Sequence, residues 1–254
     1  MDLGLADRVF VVTGGSRGLG RAAAEVLVAE GARVVLAARD AKQLAEVAGS
    51  LGGADYALGM PTDLANAGAE ERLIAAAIAR FGRLDGALIS CGGPVPGNVL
   101  DVSDDIWRSA FESVFLGPLR TAKAVANAVG DEGGALSFVL SSSAREPIPG
   151  LAVSNGLRPG LAGVVKDLAD ELAERGIRVN GLLPGRINTD RTRELDAKAG
   201  RSDSARRRHE AAIPMGRYGD PIEFGTIAAF TLSAAASYLT GALIPIDGGA
   251  RRSL

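Results

Sequence analysis

The sequence predicts a doubly wound α/β fold, a parallel sheet with helices on both faces, built as a single domain over residues 1–254. Three observations lead there. Apolar runs of strand length recur along the chain, and each is followed by an alanine-rich helical stretch. The runs are apolar throughout rather than alternating, as strands covered on both faces must be. Helical stretches close at glycines such as Gly31 and Gly82, which accept the left-handed backbone of a C-terminal stop. With 254 residues, 47% of them hydrophobic, the chain can bury one sizeable core and sits at the upper end of one domain.

The elements follow in order. Val9, Phe10, Val11 and Val12 make 8–13 the first strand, and the alanine-rich stretch 18–30 the first helix. A second buried strand over 33–38 precedes a helix over 41–51, and a third strand over 56–60 precedes a helix over 66–81. Then come a strand at 86–90, one long helix over 104–129, a strand at 135–140, a helix over 155–175 and a strand at 177–183. The chain reads as irregular to about 214, then helical over 221–235, and ends on a short strand at 243–246. Strands alternating with helices pair in parallel through right-handed crossovers. The uncharged stretch 227–246 is long enough to span a bilayer. Thr231, Ser233, Ser237, Thr240, Gly241 and Pro245 dilute it, so it reads as a buried helix end, a turn and a strand, with no membrane partner.

Charge and cysteine usage narrow the function. Lys plus Arg (28) nearly balance Asp plus Glu (30), and no basic stripe dominates, so no nucleic-acid partner is expected. The N-terminus carries two acids and no apolar run, unlike a signal peptide. Cys91 stands alone, which suits a reducing cytoplasm, and one His with one Cys cannot build a structural zinc cluster.

Between the first strand and first helix lies Thr13-Gly14-Gly15-Ser16-Arg17-Gly18-Leu19-Gly20. Glycines at 14, 18 and 20 let the backbone turn tightly and approach a pyrophosphate, which then meets the unpaired N–H groups of the helix N-terminus. Strand before and helix after supply the context that such a motif needs. The second strand ends in Ala38-Arg39-Asp40, with no carboxylate at position 38 for a ribose 2′-hydroxyl. Arg39 and Arg17 are suited to gripping a 2′-phosphate, so NADP(H) is expected over NAD(H), with Asp40 a contrary signal.

These residues resemble the short-chain dehydrogenase/reductase family, and the resemblance covers nearly the whole chain. Thr13-Gly14-x-x-x-Gly18-x-Gly20 matches its cofactor loop, and Asp63-Leu64 its adenine contact. Val179-Asn180, Pro184-Gly185 and Thr189 are similar to its nicotinamide-binding segment, and Thr240-Gly241 with Asp247-Gly248-Gly249 to its C-terminal signature. The resemblance implies a Rossmann-like, three-layer αβα sandwich on a seven-stranded parallel sheet, and a homotetramer or homodimer. It further implies cofactor contacts from Gly14, Ser16, Arg17, Gly18, Leu19, Gly20, Arg39, Asp63, Leu64, Cys91, Gly92, Gly93, Arg158, Pro184, Gly185, Ile187 and Thr189.

The family's catalytic set is Asn, Ser, Tyr and Lys. Its spacing puts Ser154 at the tyrosine position, Arg158 at the lysine and Val114 at the asparagine. Ser141 falls at the serine position by count, with Ser142 its rival. The family's Asn-Asn-Ala-Gly motif is here Ser90-Cys91-Gly92-Gly93. A serine hydroxyl is a far weaker acid than tyrosine beside an ammonium, and arginine does not relay protons. Arginine does stabilise an oxyanion with parallel N–H donors. One reading is an NADP(H)-dependent oxidoreductase acting on a carbonyl, alcohol or activated alkene, with Ser141 or Ser142, Ser154 and Arg158 as an electrostatic cradle. The alternative is an NADP(H)-binding protein without catalysis, a sensor or assembly subunit. On that view Ser154 caps a helix starting at 155 and Arg158 pairs with an acid.

Residues at about 186–215 fall where this family builds its substrate lid. Over 186–217 nine Lys/Arg against five acids leave +4, which suggests attraction of an anionic small molecule such as a carboxylate or a phosphopantetheine thioester. His209, the only histidine, is a candidate proton donor in that stretch, as are the phenols of Tyr218 and Tyr238. Trp107, Phe111 and Phe115 recur at four-residue spacing, which reads as core packing or a dimer face.

Overall fold

The computed structural model describes residues 2–198 and 202–252. Seven strands form one sheet: β1 (Val9–Thr13), β2 (Arg33–Ala38), β3 (Ala57–Pro61), β4 (Gly86–Ile89), β5 (Gly134–Val139), β6 (Ile177–Pro184) and β7 (Leu243–Ile246). Their order is β3-β2-β1-β4-β5-β6-β7, and every neighbouring pair is parallel. The chain therefore works outward from β1, returns to β4 beside it, and continues the other way. That reversal leaves a crevice at the carboxyl ends of β1 and β4, where doubly wound sheets bind ligands.

Alternation along β1 fills two cores. Val9 and Val11 join Leu73, Val125, Phe138, Leu161 and Val165 on one face. Phe10 and Val12 join Leu27, Leu36, Leu44 and Phe224 on the other. Each such side chain contributes about 1.5–3 kcal/mol of burial. Helices α1 (Gly18–Ala29), α2 (Ala41–Ser50), α3 (Ala69–Phe81), α4 (Asp104–Ala110), α5 (Gly117–Ala128), α6 (Ala152–Leu172), α7 (Asp190–Lys198), α8 (Ser202–Ala211) and α9 (Pro221–Leu232) complete the described elements. The expected helix end, turn and strand of 227–246 are present as the end of α9, a 3₁₀ turn at Ala234–Ala236 and β7. Among the described residues no helix is long and apolar enough to cross a membrane.

Three expectations change. The long helix is interrupted by a π segment at Phe111–Leu116 that joins α4 to α5. Pro118 has no N–H to offer the Val114 carbonyl four residues earlier, which accounts for the wider turn. That freed carbonyl faces the Cys91 Sγ at 3.9 Å. Next, α6 starts at Ala152 with Leu151 as its N-cap, so Ser154 lies inside the first turn and is not the cap. Finally, the stretch after β6 is not irregular: it holds α7 and α8, built largely on ion pairs rather than an apolar stripe.

Aromatic rings hold α6 in place. The Trp107 ring lies against Gly156, where a Cβ would be 2.8 Å from its edge, and the Phe115 ring lies against Gly160. Phe111 stacks on Phe115 with centroids 5.2 Å apart. The aromatic repeat is thus packing onto the helix that carries Ser154 and Arg158.

Candidate active site

The glycine loop closes over the carboxyl end of β1. Gly14 and Gly18 have φ of +63° and +57°, and a Cβ on Gly20 would stand 2.4 Å from the Gly14 carbonyl oxygen. Only glycine fits a backbone folded that closely. Thr13 Oγ1 donates to the Ser90 carbonyl at 2.8 Å and accepts from the Ser90 N–H at 2.7 Å. This ties the glycine loop to the loop after β4 that carries Cys91, Gly92 and Gly93. Ser16 is buried, Leu19 packs at the core edge, and Arg17 is exposed at the N-cap of α1.

At the end of β2, Arg39 is exposed and its side chain makes no hydrogen bond or ion pair among the described residues. Asp40 caps α2, its carboxylate accepting from the Gln43 N–H at 3.0 Å. Asp63 accepts from the Ala65 N–H, and the Leu64 carbonyl from Arg120, so both shape the turn after β3. Beyond β6, Gly185 backs onto Asp247, and Ile187 is buried in a short parallel bridge with Gly219. A Cβ on Gly18 would stand 3.6 Å from the Thr189 methyl, so the segment after Pro184 reaches back over the glycine loop. The loops that carry Gly18, Thr189 and Cys91 thus meet at the carboxyl end of β1.

Arg158 occupies the floor. It is 4% exposed, with Nη1 donating to the Val139 carbonyl at 2.9 Å and Nη2 to the Gly92 carbonyl at 2.8 Å. Its Nε is buried without a partner. Among the described residues no carboxylate pairs with it, contrary to the acid pairing considered for it. A buried cation held only by neutral carbonyls is costly, and the vacant donor points to a polar ligand.

One turn earlier on α6, the Ser154 hydroxyl meets Ser143 Oγ at 2.8 Å, both residues buried. Counting back from Ser154 had indicated Ser141 or Ser142. Instead Ser141 accepts the Ser143 N–H as the cap of a 3₁₀ turn at Ser142–Ala144, and that turn rotates Ser143 inward. Val114 is buried and supplies no polar side chain. A cavity of about 240 Å³ lined by Gly97, Val99, Ile148, Ala152 and Asn155 opens beside this first turn of α6.

The other proton-donor candidates lie elsewhere. Buried Asp196 takes Arg186 at 2.9 Å, the Tyr218 hydroxyl at 3.0 Å and His209 Nδ1 at 3.2 Å. Arg186 Nη2 faces His209 Nε2 at 2.9 Å, which makes that nitrogen the acceptor and puts the ring proton on Nδ1. Burial, then the Arg186 charge, push the His209 imidazole below its ordinary value. Burial, with the bond to Asp196, pushes the Tyr218 phenol up to about 12. Both side chains pin α7 and α8 together, and Tyr238 is fully exposed. Arg201 lies outside the described residues.

Residues 14–251 match a family model described as enoyl-(acyl carrier protein) reductase. Human dehydrogenase/reductase SDR family member 4 is 32% identical over 249 residues, covering 96% of this chain and 88% of the relative. The 3-oxoacyl-[acyl-carrier-protein] reductase of Salmonella typhimurium is 34% identical over 247 residues, with 95% and 96% covered. L-sorbose reductase from Gluconobacter frateurii, solved with NADPH and L-sorbose, superposes with a TM-score of 0.92 over 100% of both chains at 28% identity. Agreement in sequence and in fold along the whole chain leaves one conclusion: it belongs to the short-chain dehydrogenase/reductase family of oxidoreductases.

Proposed function

We propose that this protein is an NADP(H)-dependent oxidoreductase that reduces a carbonyl or activated alkene of a small molecule, with Ser143, Ser154 and Arg158 in place of the family's serine, tyrosine and lysine. The observation that carries this reading is Arg158: a buried, unneutralised guanidinium with a vacant donor, beside two linked hydroxyls at the sheet's switch point. The residues present fit the dinucleotide, because the glycine loop folds closely at the N-terminus of α1, where unpaired backbone N–H groups suit a phosphate. Arg17 and Arg39 are free to hold a 2′-phosphate, while the Asp40 carboxylate is engaged at its helix cap.

A reduced nicotinamide held by the glycine loop and the segment after β6 would supply the hydride for the carbonyl carbon. As the π electron pair moves onto oxygen, Ser154 and Arg158 donate hydrogen bonds to the growing negative charge. The alkoxide is basic enough to take its proton from solvent water, which completes the alcohol and leaves hydroxide to the buffer. The segment over 186–215 acts as a lid in this reading, in a cytoplasmic homodimer or homotetramer.

The test is deuterium transfer from stereospecifically 4-deuterated NADPH to ketones, diketones and enones, read by mass spectrometry, with cofactor affinity measured on the same protein. Label in a product is expected, together with NADPH binding about tenfold or more tighter than NADH and a loss of that preference in Arg39→Ala. Tight NADPH binding with no label in any product favours the cofactor-binding module instead.

A further inference from the structure

The lid segment is rich in arginine, and its arginines differ in how they are neutralised. Arg186 pairs with Asp196 at 2.9 Å, Arg206 with Glu210 at 2.8 Å, and Arg217 grips Glu223 through two bonds. Arg193 is bonded to Asp190. Arg207 and Arg208 point into solvent. Arg191 does neither. Its side chain is 35% exposed, and its nearest carboxylate is Glu194, at 3.9 Å. Nη2 instead donates to the carbonyl of Pro94 at 2.7 Å, in the loop after β4. The guanidinium lies so close over that loop that a Cβ on Gly93 would stand 2.9 Å from Nε.

This places two arginines on one short piece of chain. Arg158 holds the Gly92 carbonyl from below, and Arg191 holds the Pro94 carbonyl from the lid side. Two residues of chain span at most about 7 Å. With bonds of 2.8 and 2.7 Å to these two carbonyls, Arg158 and Arg191 hold the same three residues, Gly92 to Pro94, and their bonding nitrogens lie at most about 13 Å apart. With Nη2 on the Pro94 carbonyl and Glu194 3.9 Å from Nη1, the Nη1 side of the Arg191 guanidinium is left to meet a carboxylate.

We infer that Arg191 is the specificity-determining residue of this site and that it binds the carboxylate of a small 2-oxo or 3-oxo acid. The inference rests on the reductase reading for the reaction but not for the binding. That span suits a carboxylate carried on the same small molecule as the carbonyl. A phosphopantetheine arm would place its phosphate much farther from the reacting carbon. The lid's net positive charge then draws the anion in, and the Arg191 fork orients its carbonyl toward Ser154.

The experiment uses NADPH-loaded full-length protein and a panel of 2-oxo and 3-oxo acids with their amides and ethyl esters. Calorimetry measures binding, and NADPH oxidation measures turnover. Acids are expected to bind about 30-fold or more tighter than the matching amides, and Arg191→Gln to erase most of that ratio. Arg191→Lys should recover part of it, since the charge returns without the fork. In turnover, the loss should fall on KM for acids more than on kcat. Equal binding of acids and amides by the wild type, or a ratio untouched by Arg191→Gln, overturns the inference and leaves the reductase reading standing. Arg191-dependent acid binding without hydride transfer does the reverse. Reduction of an oxoacyl thioester on acyl carrier protein, with free acids unbound, overturns it in favour of a protein-borne substrate.

Discussion

Asp85 and Arg158, buried at opposite ends of the sheet, differ in how their charge is met. At the amino ends of the strands, Asp85 is buried and accepts from Arg8 at 2.7 Å, from Arg83 at 2.6 and 2.9 Å, and from the Val9 N–H at 2.8 Å. Glu132 takes both arginines again from the solvent side, at 2.9 and 3.0 Å. Burial alone would push the Asp85 carboxyl up, but hydrogen bonds from Arg83, Arg8 and Val9 outweigh it and hold it below the usual carboxylate range. At the carboxyl ends, Arg158 is as deeply buried and has only carbonyls for company. Asp85 is matched by arginines of the chain, whereas Arg158 has no carboxylate partner among the described residues.

Swapping the charges out one end at a time sharpens the contrast. Arg158→Met should lower hydride transfer about 10²–10³-fold, the scale of one lost oxyanion donor. Its folding stability should stay within about 1 kcal/mol, because removing an unneutralised buried cation offsets two lost hydrogen bonds. Urea unfolding checks the second point, and a loss of several kcal/mol would make Arg158 a strut like those at the other end. Asp85→Ala should do the opposite. It should cost about 2–3 kcal/mol, less than a fully buried pair because both arginines are partly exposed, with turnover per folded molecule unchanged. Since the folded carboxyl is depressed, this stabilisation is present above the unfolded value of about 3.9 and disappears as pH falls through the folded one.

The smallest effect belongs to the Asp196 network. The His209 imidazole sits below its unfolded value of about 6.5, so its contribution is complete above that pH and is lost as pH falls toward the depressed value. A proton on Nε2 would also face the Arg186 guanidinium, 2.9 Å away. Amide hydrogen exchange should therefore quicken in α7 and α8 below about pH 6.5, by less than about tenfold, with the sheet unaffected. His209→Gln should flatten that dependence.

The sheet was legible because its signal is local. Runs such as Val9 to Val12 must be strands buried on both faces, and the bounds of β2 and β7 coincide with the expected 33–38 and 243–246. The glycine loop was legible for the same reason: its positive φ values and its close approach admit no side chain. What escaped depends on distant partners. α7 and α8 carry no apolar stripe, and their hold comes from Asp196, Tyr218 and His209 meeting across 22 residues of sequence. Pro118 was visible, but the wide turn it induces depends on the packing around it. Ser143 escaped because counting back from Ser154 ignores the 3₁₀ turn that selects which serine faces inward. Its only trace in sequence was the run of three serines itself.

The seat of Trp107 on Gly156 has an optical consequence. It is the chain's only tryptophan, so its emission arises from one place, the surface of α6 between Ser154 and Arg158. A bare glycine beneath the ring leaves no side chain to cushion it, and a small displacement of α6 changes the indole's surroundings directly. The protein thus carries a single indole on the helix that bears Ser154 and Arg158, able to report a shift of that helix without an added label.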